Sequence, residues 1–143
     1  MLIDCELMGS ERRLELCVPD VEQAWSFYRD IMGAREVFRS EPRTGDPSRI
    51  GFTIGKTGFT ITSPDNARSG DGRPIASLLA ADLGATFAAI VVYVQDPVTA
   101  ARRAIDAGSR RRPEAASGTP THRGHPVEVI IDPFGNSWAL AKS

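Results

Sequence analysis

A chain of 143 residues has room for one compact domain around a single core and is short for two independent ones. Apolar residues at 41% and charged ones at 24% match an ordinary globular protein, and a formal charge of -1 with a pI near 6.1 removes the electrostatic case for nucleic acid or anionic membrane as partners. No stretch approaches the ~20 consecutive apolar residues of a membrane span, and the opening MLIDCELMGSERR lacks the basic-then-apolar pattern of an export signal, so a cytoplasmic protein is expected.

Cys5 and Cys17 lack metal-ligand spacing and are expected as reduced thiols. The first predicted element is a strand in which Leu14, Leu16 and Val18 alternate with Arg13, Glu15 and Cys17; a period of two puts the sets on opposite faces. Asp20 then suits a helix N-cap, with Gln23 three residues on to complete a capping-box-like pair. Val21, Ala24, Trp25, Tyr28, Ile31 and Met32 recur at helical spacing, so one stripe is apolar and Trp25 and Tyr28 belong to the core. Gly33 can end the helix in the left-handed conformation. Three β-type runs follow, REVFRS, RIGFTIG and GFTITSP, punctuated by Gly51, Gly55 and Gly58.

The next stretch, SPDNARSGDGRPIASLLAADLGA, begins rich in Ser, Asp, Gly and Pro and reads as a loop; its later IASLLAADL is expected as an ordinary connector, with a helical turn or a flap over a pocket as the alternatives. AAIVVYVQD restores a strand, with Ile90, Val92 and Val94 on one face and Ala89, Val91 and Tyr93 on the other. Asp96 caps a second helix, Pro97 opens it, Val98, Ala101 and Ile105 form its stripe, and Gly108 stops it. Arg110, Arg111 and Arg112 are expected as a solvated loop or helix end, and His122 and His125 as a surface loop marked by Gly124 and Pro126. HPVEVIIDP and NSWALAK read as strands around a tight Asp-Pro-Phe-Gly-Asn turn.

The two halves repeat each other. LELCVPDVEQAWSFYRDIMGA aligns with IVVYVQDPVTAARRAIDAGS, placing Val18 on Val94, Asp20 on Asp96 and Ala24 on Ala100, each displaced by 76 positions. Each half reads as βαβββ. With CVPDVEQAWSFYRDIMGA, VYVQDPVTAARRAIDAG and the closing DPFGNSWAL in this order, the chain resembles the vicinal oxygen chelate superfamily, which includes glyoxalase I, extradiol dioxygenases, fosfomycin-resistance enzymes and bleomycin-binding proteins. The closing piece, with AAIVVYVQD ahead of it, is most similar to the PhnB-like or bleomycin-resistance branch. The resemblance implies an α+β fold in which two βαβββ modules curl their sheets around a shared cavity, with the helices on the outer faces. It implies one domain over residues 1–143, with module one at about 11–64, a linker at about 65–84 and module two at about 85–142. It also implies a homodimer.

In metal-dependent members a ligand usually comes from the first and last strand of each module. The resemblance carries these positions onto Arg13, Thr60, Ala89 and Ala139. Alanine offers no lone pair, arginine repels a cation, and a lone neutral hydroxyl is a poor anchor, so no metal and no other cofactor is expected. His122, His125 and Glu128 are the alternative ligand set for a relocated metal. Without metal, two readings compete for a small-molecule ligand. The first is a binding protein, sequestering an antibiotic or metabolite, whose cavity carries Arg13, Glu15, Thr60, Tyr93 and Glu128. The second is a metal-free isomerase, cyclase or lyase in which Glu15 or Glu128 moves a proton and Arg13 stabilises negative charge, making Glu15 the candidate catalytic residue. Whether Arg13 and Glu15 instead only satisfy each other's charge is open at this level.

Overall fold

The computed structural model describes residues 2–4, 13–40, 49–63, 89–112 and 119–143. In chain order these form strands β1 (Leu2–Asp4) and β2 (Arg13–Cys17), helix α1 (Val21–Met32), and strands β3 (Arg35–Ser40), β4 (Arg49–Ile54), β5 (Thr57–Thr62) and β6 (Ala89–Val94). Helix α2 (Pro97–Asp106) follows, then β7 (Arg110–Arg111), β8 (Thr121–His122), β9 (His125–Pro126), β10 (Glu128–Ile131) and β11 (Ser137–Lys142). Cys5 and the connector with IASLLAADL lie outside the described residues.

One sheet runs β2-β5-β4-β3 and the other β1-β6-β11-β10-β7. Leaving β1 aside, both place their strands in the order first, last, third, second. In both, the first and last strands pair in parallel and the remaining neighbours are antiparallel. The fold is therefore α+β, with two βαβββ modules of one topology, as the repeat predicts. The 76-residue displacement holds for the first strands and widens to 79 at the last ones: Glu15 pairs with Thr60, and Val91 with Ala139. Two short elements escape the sequence reading: β1, added to the edge of the second sheet, and β8, which pairs with β9 in a hairpin at the start of the predicted HPVEVIIDP strand.

Both helices start as their caps dictate. The Asp20 carboxylate accepts the Gln23 N–H at 3.0 Å, and Asp96 accepts the Thr99 N–H at 3.1 Å and the Thr99 hydroxyl at 2.8 Å. Gly33 closes α1 at φ 70°, which an L side chain adopts only at a cost. The buried face of α1 is the predicted stripe widened by Phe27. That of α2 differs from expectation. It consists of Ala101 and Ala104, whereas Val98 is 49% exposed; at 3.6 residues per turn Val98 lies about 120° around the helix from Ala104. The expectation for Arg110 and Arg111 is also corrected, because they form β7, an exposed edge strand paired with β10, rather than a loop. Edge strands tolerate such charge because it discourages pairing with other chains.

One hydrophobic core joins the modules through the helix-side faces of both sheets. Tyr28 from α1 stacks on Phe52 at 5.4 Å, Phe52 on Phe59 at 5.5 Å, and Phe59 meets Trp138 of the other module edge-on at 5.3 Å. Phe52, Phe59 and Trp138 are thus core residues. The helices also meet directly, Arg103 Nη2 donating to the Asp30 carbonyl at 2.9 Å. Among the described residues no helix is long and apolar enough to cross a membrane.

Candidate functional site

The sheet faces turned away from this core are the ones that alternation assigns to ligand. In the first module the register sets Glu15, Thr60 and Gly51 in one row across β2, β5 and β4, and Cys17, Thr62 and Arg49 in the next. Thr60 and Thr62 are buried, whereas Glu15 is half-exposed and accepts a hydrogen bond from Arg49 Nη2 at 3.1 Å. An exposed pair of this kind contributes about 0–1 kcal/mol. Its Arg49 Nε is buried with no hydrogen-bond partner among the described residues. Glu15 is thus partnered by Arg49, a residue the sequence did not single out. Arg13 pairs with Gly58 through its backbone, and its side chain lies outside the described residues. Gly51 leaves room for a neighbouring ring: a Cβ there would lie 2.1 Å from the ring of Phe38, which crosses over it from β3.

The second module presents a different face. Ala139 sits in register between Val91 and Val129, and a cluster of Ala89, Val91, Val127, Ala139 and Ala141 is buried there, flanked by Leu2, Tyr93 and Val129. Its polar end is made by β1 and the hairpin. The Tyr93 hydroxyl donates to Asp4 Oδ2 at 2.5 Å, and His122 Nε2 lies 2.9 Å from the same oxygen and 3.2 Å from the Tyr93 hydroxyl. Arg123 Nη2 is 3.8 Å from that carboxylate. Tyr93 therefore lies on the predicted face, and it meets two groups that the sequence reading did not join to it. Asp4 was missed because a three-residue strand carries too little periodicity to be recognised.

Glu128 is placed elsewhere. It pairs with Leu140, so it shares the helix-side face with Ile130 and Trp138, and its Oε2 accepts from Arg111 Nη1 at 2.5 Å. His125 is exposed opposite His122 on the hairpin. His122, His125 and Glu128 do not converge, and no group of three or more His, Cys, Asp or Glu among the described residues is arranged to hold a metal ion.

The Asp-Pro-Phe-Gly-Asn turn holds a deeply buried carboxylate that ties elements together. Asp132 Oδ1 accepts the Phe134 and Asn136 N–H groups, each at 2.9 Å, and Oδ2 accepts the Tyr28 hydroxyl at 2.5 Å and Trp138 Nε1 at 2.8 Å. Burial raises its pKa, and the four donors only partly offset this. Tyr28 is raised well above the ordinary tyrosine value, by burial first and then by the Asp132 charge, and so stays a hydroxyl donor. This turn closes the second module onto α1.

Residues 12–140 match the model of the Glyoxalase/Bleomycin resistance protein/Dioxygenase superfamily. The chain belongs to this superfamily. Among solved structures, the fosfomycin resistance protein FosX from Mesorhizobium loti is similar with a TM-score of 0.61 and 17% identity, over 92% of this chain and 90% of that one. A mutant FosX from Listeria monocytogenes, complexed with Mn(II) and 1S,2S-dihydroxypropylphosphonic acid, gives 0.63 and 17% over 92% and 90%. A gene product from Arabidopsis thaliana gives 0.65 and 19% over 92% and 98%. At these identities the likeness establishes the fold. No match was found among curated proteins.

The superfamily includes metal-dependent members, and the residues here do not fit such an ion. Thr60 and Ala139 occupy equivalent ladder positions, so the two last strands offer one neutral hydroxyl and one methyl group where carboxylates would be needed. Ala89 adds no donor, and the neighbours of Ala139 are aliphatic.

Proposed function

We propose that the protein is a small-molecule-binding member of the glyoxalase and bleomycin-resistance type that works without the superfamily's metal, sequestering an antibiotic or metabolite. Residues 1–143 act as one domain of the PhnB-like kind, paired as a homodimer, in which Arg13, Glu15, Thr60 and Tyr93 contribute to the ligand face. The observation that carries this reading is Ala139. It puts a methyl group in the middle of an apolar wall, at a position where the superfamily's metal-dependent members carry a ligand, and among the described residues Asp4, Tyr93 and His122 supply polar groups at the end of that wall. Apolar walls with a few convergent polar groups are what small-molecule sites require.

Elemental analysis of untagged protein, paired with a thermal-shift screen of aromatic and acidic metabolites, tests the reading. A ligand at a hundredfold excess over its Kd stabilises by about 2.7 kcal/mol, which raises Tm by several degrees. The expected result is such a shift, unchanged by chelator. Stoichiometric metal that a chelator removes together with the shift overturns it.

The metal-free enzyme reading keeps Glu15 as proton acceptor, supported by its half-exposed position beside Arg49. Glu15→Gln that preserves ligand affinity while abolishing turnover would favour this alternative; no turnover in the wild type favours sequestration.

A further inference from the structure

The cluster of Asp4, Tyr93 and His122 lies outside every position at which the superfamily resemblance places a metal ligand, and its geometry assigns the protons. A tyrosine hydroxyl has one hydrogen, and at 2.5 Å from Asp4 Oδ2 that hydrogen is directed to the carboxylate. His122 Nε2 then faces two oxygens through their lone pairs, Asp4 Oδ2 at 2.9 Å and Tyr93 at 3.2 Å, so this nitrogen carries hydrogen and donates. In a neutral imidazole the lone pair is left on Nδ1. Among the described residues Nδ1 makes no hydrogen bond, and the His122 side chain is 16% exposed while Asp4 is only 5% exposed. A nearly buried carboxylate thus fixes the tautomer from one side and leaves Nδ1 as a proton acceptor on the other. Histidines oriented in this way by a carboxylate transfer protons in catalysis. Among the described residues, Arg123 Nη2 also approaches the Asp4 carboxylate, at 3.8 Å.

We propose that His122 Nδ1 accepts the proton of an acidic hydroxyl, a phenol or an enol, on an otherwise apolar small molecule, and that the ligand is held as its oxyanion. The ligand O–H bond breaks with its electron pair left on oxygen, an N–H bond forms from the Nδ1 lone pair, and the products are an imidazolium and an oxyanion in contact. The apolar class follows from the surroundings, in which partly buried Leu2, Tyr93 and Val129 flank the buried Val91, Ala139 and Ala141. This inference rests on the small-molecule-binding reading and names the ligand class for it.

The probe is para-nitrophenol, whose anion absorbs visible light, with para-nitroanisole as the analogue lacking an acidic proton. Below the free phenol's own pKa, binding to the wild-type protein is expected to raise the anion band. A charge-assisted hydrogen bond contributes roughly 1.5–3 kcal/mol, so His122→Gln should weaken nitrophenol about tenfold to a hundredfold, abolish the band and leave nitroanisole affinity unchanged. Nitrogen NMR of the ligand-free wild type supplies a readout that needs no variant of the site. The chain has two histidines, so His125→Gln assigns the signals, and the Nε2–H tautomer is expected for His122. Nitrophenol bound without the anion band, or an Nδ1–H tautomer, overturns the inference and leaves small-molecule binding standing. If neither compound binds, the binding reading falls and this inference with it.

Discussion

Asp132 shows how much one side chain can hold in place. Its carboxylate satisfies two backbone N–H groups of its own turn, the Tyr28 hydroxyl and the Trp138 indole, all of them buried. Asp132→Ala strands these donors, each costing about 1–3 kcal/mol when left unmade, so we expect a loss of about 3 kcal/mol or more in urea unfolding. The pH dependence has a definite sign. With the folded pKa raised above the unfolded value of about 3.9, the folded state keeps a proton that the unfolded chain releases. The stability contributed by this group is therefore present below that value and is lost as pH rises through the raised one. Asp132→Asn does not titrate, so the wild-type-minus-variant unfolding free energy should fall across this window; a flat difference would count against the assignment. Sequence reasoning identified the turn without its buried partners, because Tyr28 lies 104 residues away and only folding brings it there.

Helix α1 and strand β4 each turn on a local choice. The Asp20 side chain caps the first turn of α1, and Asp20→Ala should cost about 1 kcal/mol by thermal or chemical melting. Gly51 depends on a neighbour instead. The ring of Phe38 occupies the place a Cβ would take, yet Phe38 is 41% exposed and can swing outward. Gly51→Ala should therefore displace Phe38 rather than distort the strand. A double-mutant cycle with Phe38→Ala should show about 0.5–1 kcal/mol of coupling, and strict additivity would show that the ring does not press on this position. The strands of the first module were legible because each runs five or six residues, long enough for a period to show. Those before β10 were not, since β7, β8 and β9 have two residues each and no period to read.

The two modules share one core, so they should unfold together. Trp25 belongs to the first module and Trp138 to the second, and both are buried. With Trp25→Phe, the remaining indole fluorescence and far-UV circular dichroism should give coincident urea transitions. Phe59→Ala, which removes the ring packed between Phe52 and Trp138, should cost about 3–5 kcal/mol and lower both transitions alike. Separate transitions would mean that the modules are independently stable. The sequence alone determined the repeat, the N-caps of both helices, the βαβββ order of the first module and the alternating faces of β2 and β6, because all of these follow from spacing along the chain. It also determined that Ala139 and Ala89 carry no metal-binding atom. Only the tertiary structure decided which charges meet. Glu15 is joined to Arg49 across the sheet, Glu128 is turned to the helix side beside Arg111, and Asp4 is carried to Tyr93 and His122. Alternation assigns a residue to a face, but its partner on that face is set by strand order and register, which depend on contacts between residues far apart in the chain.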